Sequence, residues 1–158
     1  MQNIIISVYK ISTMSQKIFV SGKYDDKLLI REKINELRTL GYTITYDWTD
    51  DQNQAELRKN YADKKDRLAV EAMFDINGIK NCDRHIIIIT DETYAYRGTS
   101  SELGCSLGLD KCIYLYCPFK NALCMNCPFY NHPLVDCFDN WGKLLEKLAT
   151  DVAQIVIF

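Results

Sequence analysis

Arg84–Thr90, RHIIIIT, sets four consecutive isoleucines between polar flanks. A run with no alternation offers no face to water. It reads as a strand buried on both sides, as in parallel sheets covered by helices. Upstream, Leu57, Tyr61, Leu68, Ala72, Ile76 and Ile79 recur at helical spacing, as one helix or two in series. Before them, Lys17–Ser21 (KIFVS) reads as a strand ending at Gly22. Leu28–Leu40 reads as a helix carrying Ile30, Ile34 and Leu37 and stopped by Gly41. Tyr42–Trp48 (YTITYDW), β-branched and aromatic, reads as a second strand, and Thr49–Asn53 as a loop. Downstream come a helix over Ser100–Leu109, a strand over Cys112–Cys117 (CIYLYC) and an amphipathic helix over Phe138–Val152. Strands alternating with helices predict an α/β three-layer sandwich with a mainly parallel, doubly covered sheet, Rossmann- or flavodoxin-like. One domain is expected over residues 1–158, with 1–16 a loosely placed extension whose IIISV run offers an edge strand. In such sheets ligands bind beyond the carboxyl ends of the strands. The loops Ser21–Asp26, Trp48–Asn53, Asp91–Ser101 and Cys117–Cys137 are therefore expected at one rim.

The composition is that of an ordinary globular chain, 47% apolar and 25% charged with 7 Gly and 3 Pro. A net charge of −2 argues against a broadly basic nucleic-acid surface. The charged stretch Arg58–Arg67 mixes bases with Asp63 and Asp66 and reads as the solvated face of a helix. No apolar run approaches a membrane span, and no charged leader with an apolar core opens the chain. Seven cysteines, an odd count, do not form a disulfide framework. A reduced, cytoplasmic protein is expected. Cys82, Cys105 and Cys112 read as core-packing residues.

The chemistry concentrates in Arg97–Gly104, RGTSSELG. Gly98 frees the backbone between strand and helix. The hydroxyls of Thr99, Ser100 and Ser101, with the free amides of a helix start, suit a phosphate or a sugar hydroxyl. Glu102 falls in the predicted first turn, where the helix dipole favours an ionised carboxylate. A positioned carboxylate is what attack at a sugar carbon requires. The same Ser-then-Glu pattern is also a common helix start. Phe74–Asp83, FDINGIKNCD, supplies Asp75 as a second acid, while Asp83 reads as structural at the turn into the strand. Two carboxyls flanking a glycosidic bond divide the work, one attacking carbon and the other protonating the leaving group.

These segments resemble the nucleoside 2-deoxyribosyltransferase superfamily, which includes related nucleotide N-glycosidases. The resemblance rests on FDINGIKNCD, the buried strand and GTSSELG in that order, and on KIFVSGKY with LRTLGYTITYDWT before them. FYNHPLVDCFDNWGKLLEKL follows, and roughly residues 17–149 are covered. It implies that Glu102 is the nucleophile and Asp75 the carboxylate serving the base. It also implies that Gly22, Gly98 and Thr99 lie where the family holds sugar or phosphate. Lys23, Tyr96 and Ser100 complete the expected substrate-binding set. Two positions depart from the family pattern. Phe19 stands where family enzymes often carry a Tyr whose hydroxyl supports the nucleophile, and a phenyl ring cannot donate. Tyr96 stands where the deoxyribosyltransferases place a base-contacting Asp, with Asp91 nearby but out of register.

The expected activity is cleavage of a nucleoside or nucleotide N-glycosidic bond, or base transfer, without a cofactor. By resemblance the chain forms a homo-oligomer. Three alternatives stand beside it. One is a non-catalytic nucleotide-binding or signalling module on the same fold. Another is a phosphoribohydrolase with a similar Gly-Thr-x-x-Glu turn. The third is a zinc-containing nucleic-acid-binding protein. The last rests on Cys124, Cys127, His132 and Cys137, whose spacing suits a tetrahedral site. Pro128 and Pro133 and the lack of glycine there fit an ordinary thiol-bearing loop instead. His85, at the start of the isoleucine strand, reads as structural.

Overall fold

The computed structural model describes residues 16–155. Five strands form one sheet: β1 (Lys17–Gly22), β2 (Thr43–Ile44), β3 (Arg84–Ile88), β4 (Cys112–Tyr116) and β5 (Val135–Phe138). Every pairing is parallel and the order is β2-β1-β3-β4-β5, the flavodoxin-like winding. Five helices connect and cover them: α1 (Lys27–Thr39), α2 (Asp51–Asn60), α3 (Lys64–Asn81), α4 (Arg97–Gly108) and α5 (Trp141–Ile155).

The period of two along each strand decides the layers. Ile18 and Val20 of β1, Ile86 and Ile88 of β3 and Tyr114 of β4 pack with Ile30, Ile34 and Leu37 of α1 and Leu144 and Leu148 of α5. The alternate positions, among them Phe19, Ile87, Ile113 and Leu115, turn to the face covered by α3 and α4. The four isoleucines thus fill both cores, as their unbroken run predicts. The same alternation sends Ser21 and His85, polar but fully buried, to the α3–α4 face.

Local chemistry sets the boundaries. The Asp63 side chain accepts from the amides of Lys65 and Asp66 and starts α3, so the long helical stretch is two helices. Asp50 caps α2 through the amide of Gln52, so α2 begins inside the expected Thr49–Asn53 loop. Gly41, at φ +93°, turns the chain out of α1 in the left-handed region. Asp83 accepts from the Lys17 amide at 2.8 Å and ties the start of β3 to β1.

Four expectations are corrected. The strand over Tyr42–Trp48 shrinks to Thr43–Ile44, because the chain leaves the edge once Thr45 has bonded to Ile18. Helix α4 starts at Arg97 rather than Ser100, after a left-handed turn at Tyr96. A fifth strand, β5, lies inside a segment read as loop and helix start. Phe138 is its last residue, stacked on Tyr114 at 6.1 Å, and α5 opens only at Trp141. Cys82 is buried as expected, but Cys112 is exposed at the start of β4. The IIISV segment lies outside the described residues.

Candidate active site

The sheet reverses its winding between β1 and β3, and a cleft of about 200 Å³ opens at that point beyond their carboxyl ends. Gly22, Lys23 and Tyr24 line it from β1, and Tyr46 and Trp48 from the chain after β2. Gln54 of α2, Glu71 and Asp75 of α3, and Tyr94, Tyr96, Gly98, Thr99 and Glu102 on the β3–α4 side complete it. Three of the four loops expected at the rim meet here. The Cys117–Cys137 loop contributes no lining residue. Instead its buried Cys124 and Tyr130 pack with Tyr96, Leu103, Ile113 and Leu115 beside α4.

Two glycines make close approaches. A Cβ on Gly22 would meet the end of the Ile30 side chain and push it aside, so the end of β1 lies close against α1. A Cβ on Gly78 would lie 2.7 Å from the Phe19 ring, so Gly78 is where α3 settles onto β1. Asp75 stands one turn earlier on the same helix. Phe19 is therefore a packing residue, tilted against His85 with ring centroids 5.4 Å apart.

The two acids come together over this face. Because α4 starts at Arg97, Glu102 lies in its second turn, where the dipole has faded. Burial prevails instead. It pushes the Glu102 carboxyl up to about 8, Asp75's charge adds to the rise, and a hydrogen bond from Ser21 opposes it. Asp75 is raised to about 7, by burial and then by Glu71 one turn before it. At neutral pH the coupled pair retains roughly one proton. The two acids differ in hydrogen bonding. The Ser21 hydroxyl donates to Glu102 Oε2 at 2.5 Å and favours the carboxylate there. Asp75 Oδ1 is buried with no hydrogen-bond partner among the described residues, which favours the neutral acid. The two carboxyls thus share one buried, coupled environment and differ in their partners, Glu102 with a donor and Asp75 with none among the described residues. The buried Tyr46 hydroxyl is likewise without a partner, and burial raises it to about 12.

The cleft at the switch point thus brings together Asp75 of FDINGIKNCD and Glu102 of GTSSELG. The family model for nucleoside 2-deoxyribosyltransferase matches residues 18–144. The chain belongs to that family. A search of curated proteins finds no match.

This nucleoside 2-deoxyribosyltransferase family member treats the remaining expected residues differently. Gly22, Lys23, Gly98 and Thr99 line the cleft. The Lys23 ammonium is already engaged, 2.9 Å from Asp91 and 5.0 Å above the Tyr94 ring. Asp91, pulled down to about 2 chiefly by Lys23, closes the rim rather than lining the cleft. Ser100 does not reach the cleft. Its hydroxyl donates to the Tyr96 carbonyl at 2.8 Å and meets Tyr130 at 3.2 Å. Tyr96 lines the cleft but is only 1% exposed, and its hydroxyl accepts from the amides of Thr90 and Asp91. Tyr94, edge-on to it at 5.0 Å, is the exposed ring of the two.

Sequence reasoning missed Ser21, Tyr24, Tyr46, Trp48, Gln54 and Glu71. Trp48 gave a signal, a large aromatic where the chain leaves a strand, and its indole donates to the Val20 carbonyl at 2.7 Å. The others had none. Among the described residues, no three of His, Cys, Asp or Glu group as metal ligands. His132 Nδ1 accepts from the Leu134 amide, and all seven cysteines are free. No helix among the described residues is long and apolar enough to cross a membrane.

Proposed function

We propose that this chain cleaves the N-glycosidic bond of nucleosides through a covalent bond to Glu102 and passes the glycosyl group to a second base or to water. A Glu102 carboxylate oxygen attacks C1′ as the C1′–N bond breaks. The bond's electron pair leaves with the base nitrogen, which takes the Asp75 proton. A glycosyl ester at Glu102 remains. The incoming base or water then attacks C1′, gives its proton to Asp75, and the ester electrons return to Glu102. Tyr94, Trp48 and Tyr24 offer aromatic surface to the base.

The observation supporting this reading is the hydrogen-bond asymmetry between the two raised carboxyls, a donor at Glu102 and none at Asp75, which favours the pair's anion on Glu102 and its shared proton on Asp75 in the reacting complex. Family membership supports nucleoside glycosyl transfer as the class of chemistry. The engaged Lys23 argues against a phosphoribohydrolase, which would need cationic groups for an obligatory 5′-phosphate.

The test is free-base release from a panel of ribo- and deoxyribonucleosides. Wild type should release base from at least one, and Glu102→Gln should slow it by about 10³-fold or more. Binding without base release across the panel would replace this reading with a non-catalytic nucleotide-binding module.

A further inference from the structure

Three buried polar side chains lie beneath the cleft, and only Ser21 among them has entered the account so far. Ser21, His85 and Ser106 are each 0% exposed. Their placement follows from two repeats. On the sheet, Ser21 and His85 share the α3–α4 face of the adjacent strands β1 and β3. On α4, Glu102 and Ser106 are four residues apart and so point the same way. The two sets interleave. Ser106 Oγ lies 2.7 Å from His85 Nδ1, His85 Nε2 lies 2.6 Å from Ser21 Oγ, and Ser21 Oγ lies 2.5 Å from Glu102 Oε2.

Counting protons gives the line a direction. An ionised carboxylate only accepts, so Ser21 spends its one proton on Glu102. Ser21 must then accept from His85, which places the ring proton on Nε2. Nδ1 is left bare and accepts from Ser106. Burial drives the imidazole down to about 3, so the ring is neutral and the order stays unbroken. Three buried polar groups carry a desolvation cost that apolar residues of similar size would avoid.

We propose that Ser106, His85 and Ser21 are a positioning relay for Glu102. The proposal rests on Glu102 being the nucleophile. The relay holds Oε2 and orients Oε1 toward the cleft. Its last hydrogen bond strengthens as the carboxylate regains charge, so it favours departure of the glycosyl group from the ester. The groups facing Glu102 are Asp75 from α3, Ser21 from β1 and Tyr130 from the turn after β4, with His85 of β3 behind Ser21. Tyr130 is pushed above the ordinary phenol range, which leaves Asp75 as the neighbour that titrates with Glu102.

The test compares Ser21→Ala, His85→Phe and His85→Gln with wild type and Glu102→Gln on a nucleoside that wild type turns over. Ser21→Ala and His85→Phe should lower kcat by about 10–100-fold with KM within about threefold. The rising limb of the kcat–pH profile should move up by roughly half a unit or more, since the carboxylate loses a donor. His85→Gln, whose amide nitrogen can donate from near the Nε2 position, should recover most of that loss. If His85→Phe does not fold, Ser21→Ala and ¹⁵N spectra of wild type decide the matter. The His85 ring should be the neutral Nε2–H tautomer from roughly pH 5 to 9. Wild-type kcat and pH profile in Ser21→Ala, beside an inactive Glu102→Gln, would overturn the relay. An Nδ1–H ring or an imidazolium at neutral pH would also overturn it. Full turnover by Glu102→Gln would instead overturn the nucleophile, and the relay's role with it.

Discussion

Glu102 and Asp75 are carboxylic acids held where water reaches them poorly, and both resist ionising for that reason. In the unfolded chain they ionise near pH 4. In the fold the coupled pair gives up its two protons at about 7 and about 8. Between those values the native state binds more protons than the unfolded state, so stability falls as pH rises and is lowest above about pH 8. Glu102→Gln removes one of these sites while keeping an acceptor for Ser21. Its melting temperature should match wild type near pH 4 and exceed it by several degrees above pH 8, measured by thermal denaturation across pH. An equal change at both pH values would contradict the burial account. The acids themselves were legible in the sequence, since Asp75 and Glu102 sit in short recognisable segments. Their protonation was not. The first-turn argument for an ionised Glu102 failed because α4 begins three residues early, at a left-handed Tyr96 that no propensity signals.

At the scale of elements, the site depends on how closely α3 settles on β1. Gly78→Ala places a methyl group 2.7 Å from the Phe19 ring and 3.1 Å from the Tyr46 Cβ. It should cost about 1–3 kcal/mol in denaturant unfolding and lower turnover as well, because Asp75 rides on the same helix. Gly104→Ala is the contrast. Nothing lies within 4 Å of its added methyl, and it sits within α4. It should stabilise by roughly 0.5–1 kcal/mol through helix propensity. A stabilised Gly78→Ala would contradict the packing. The isoleucine run, the α1 pattern and the strand–helix alternation revealed most of these elements, because burial of both sheet faces writes itself into hydrophobic period. Strand β5 was hidden for the converse reason. Asp136 and Cys137 are exposed at the sheet edge, so Val135–Phe138 carries little apolar pattern.

For the whole molecule, the all-parallel order β2-β1-β3-β4-β5 puts the ligand crevice between β1 and β3, and the balance of charge there bears on substrate choice. Among the described residues, Glu71, Asp75 and Glu102 line the cleft against one cation, Lys23, itself held by Asp91. A 5′-phosphate would bring further negative charge to an acidic lining, so kcat/KM for a nucleoside should exceed that for its 5′-monophosphate by about tenfold or more. Steady-state base release with matched pairs checks this, and a preference for the monophosphate would contradict it. A rim at the carboxyl ends of the strands was readable in advance from strand–helix alternation, but its place between β1 and β3 was not. The relay of Ser21, His85 and Ser106 was not, because its members lie 64 and 21 residues apart and meet only through the register of β1 with β3 and the packing of α4 over that face. The central claim is a covalent glycosyl bond at Glu102, and intact-protein mass spectrometry of acid-quenched reactions tests it most directly. Wild type mixed with a turned-over nucleoside should gain the mass of the glycosyl group, mapped to the peptide containing Glu102, and Glu102→Gln should gain nothing. Rapid base release by wild type with no adduct at any quench time, together with undiminished release by Glu102→Gln, would contradict the account.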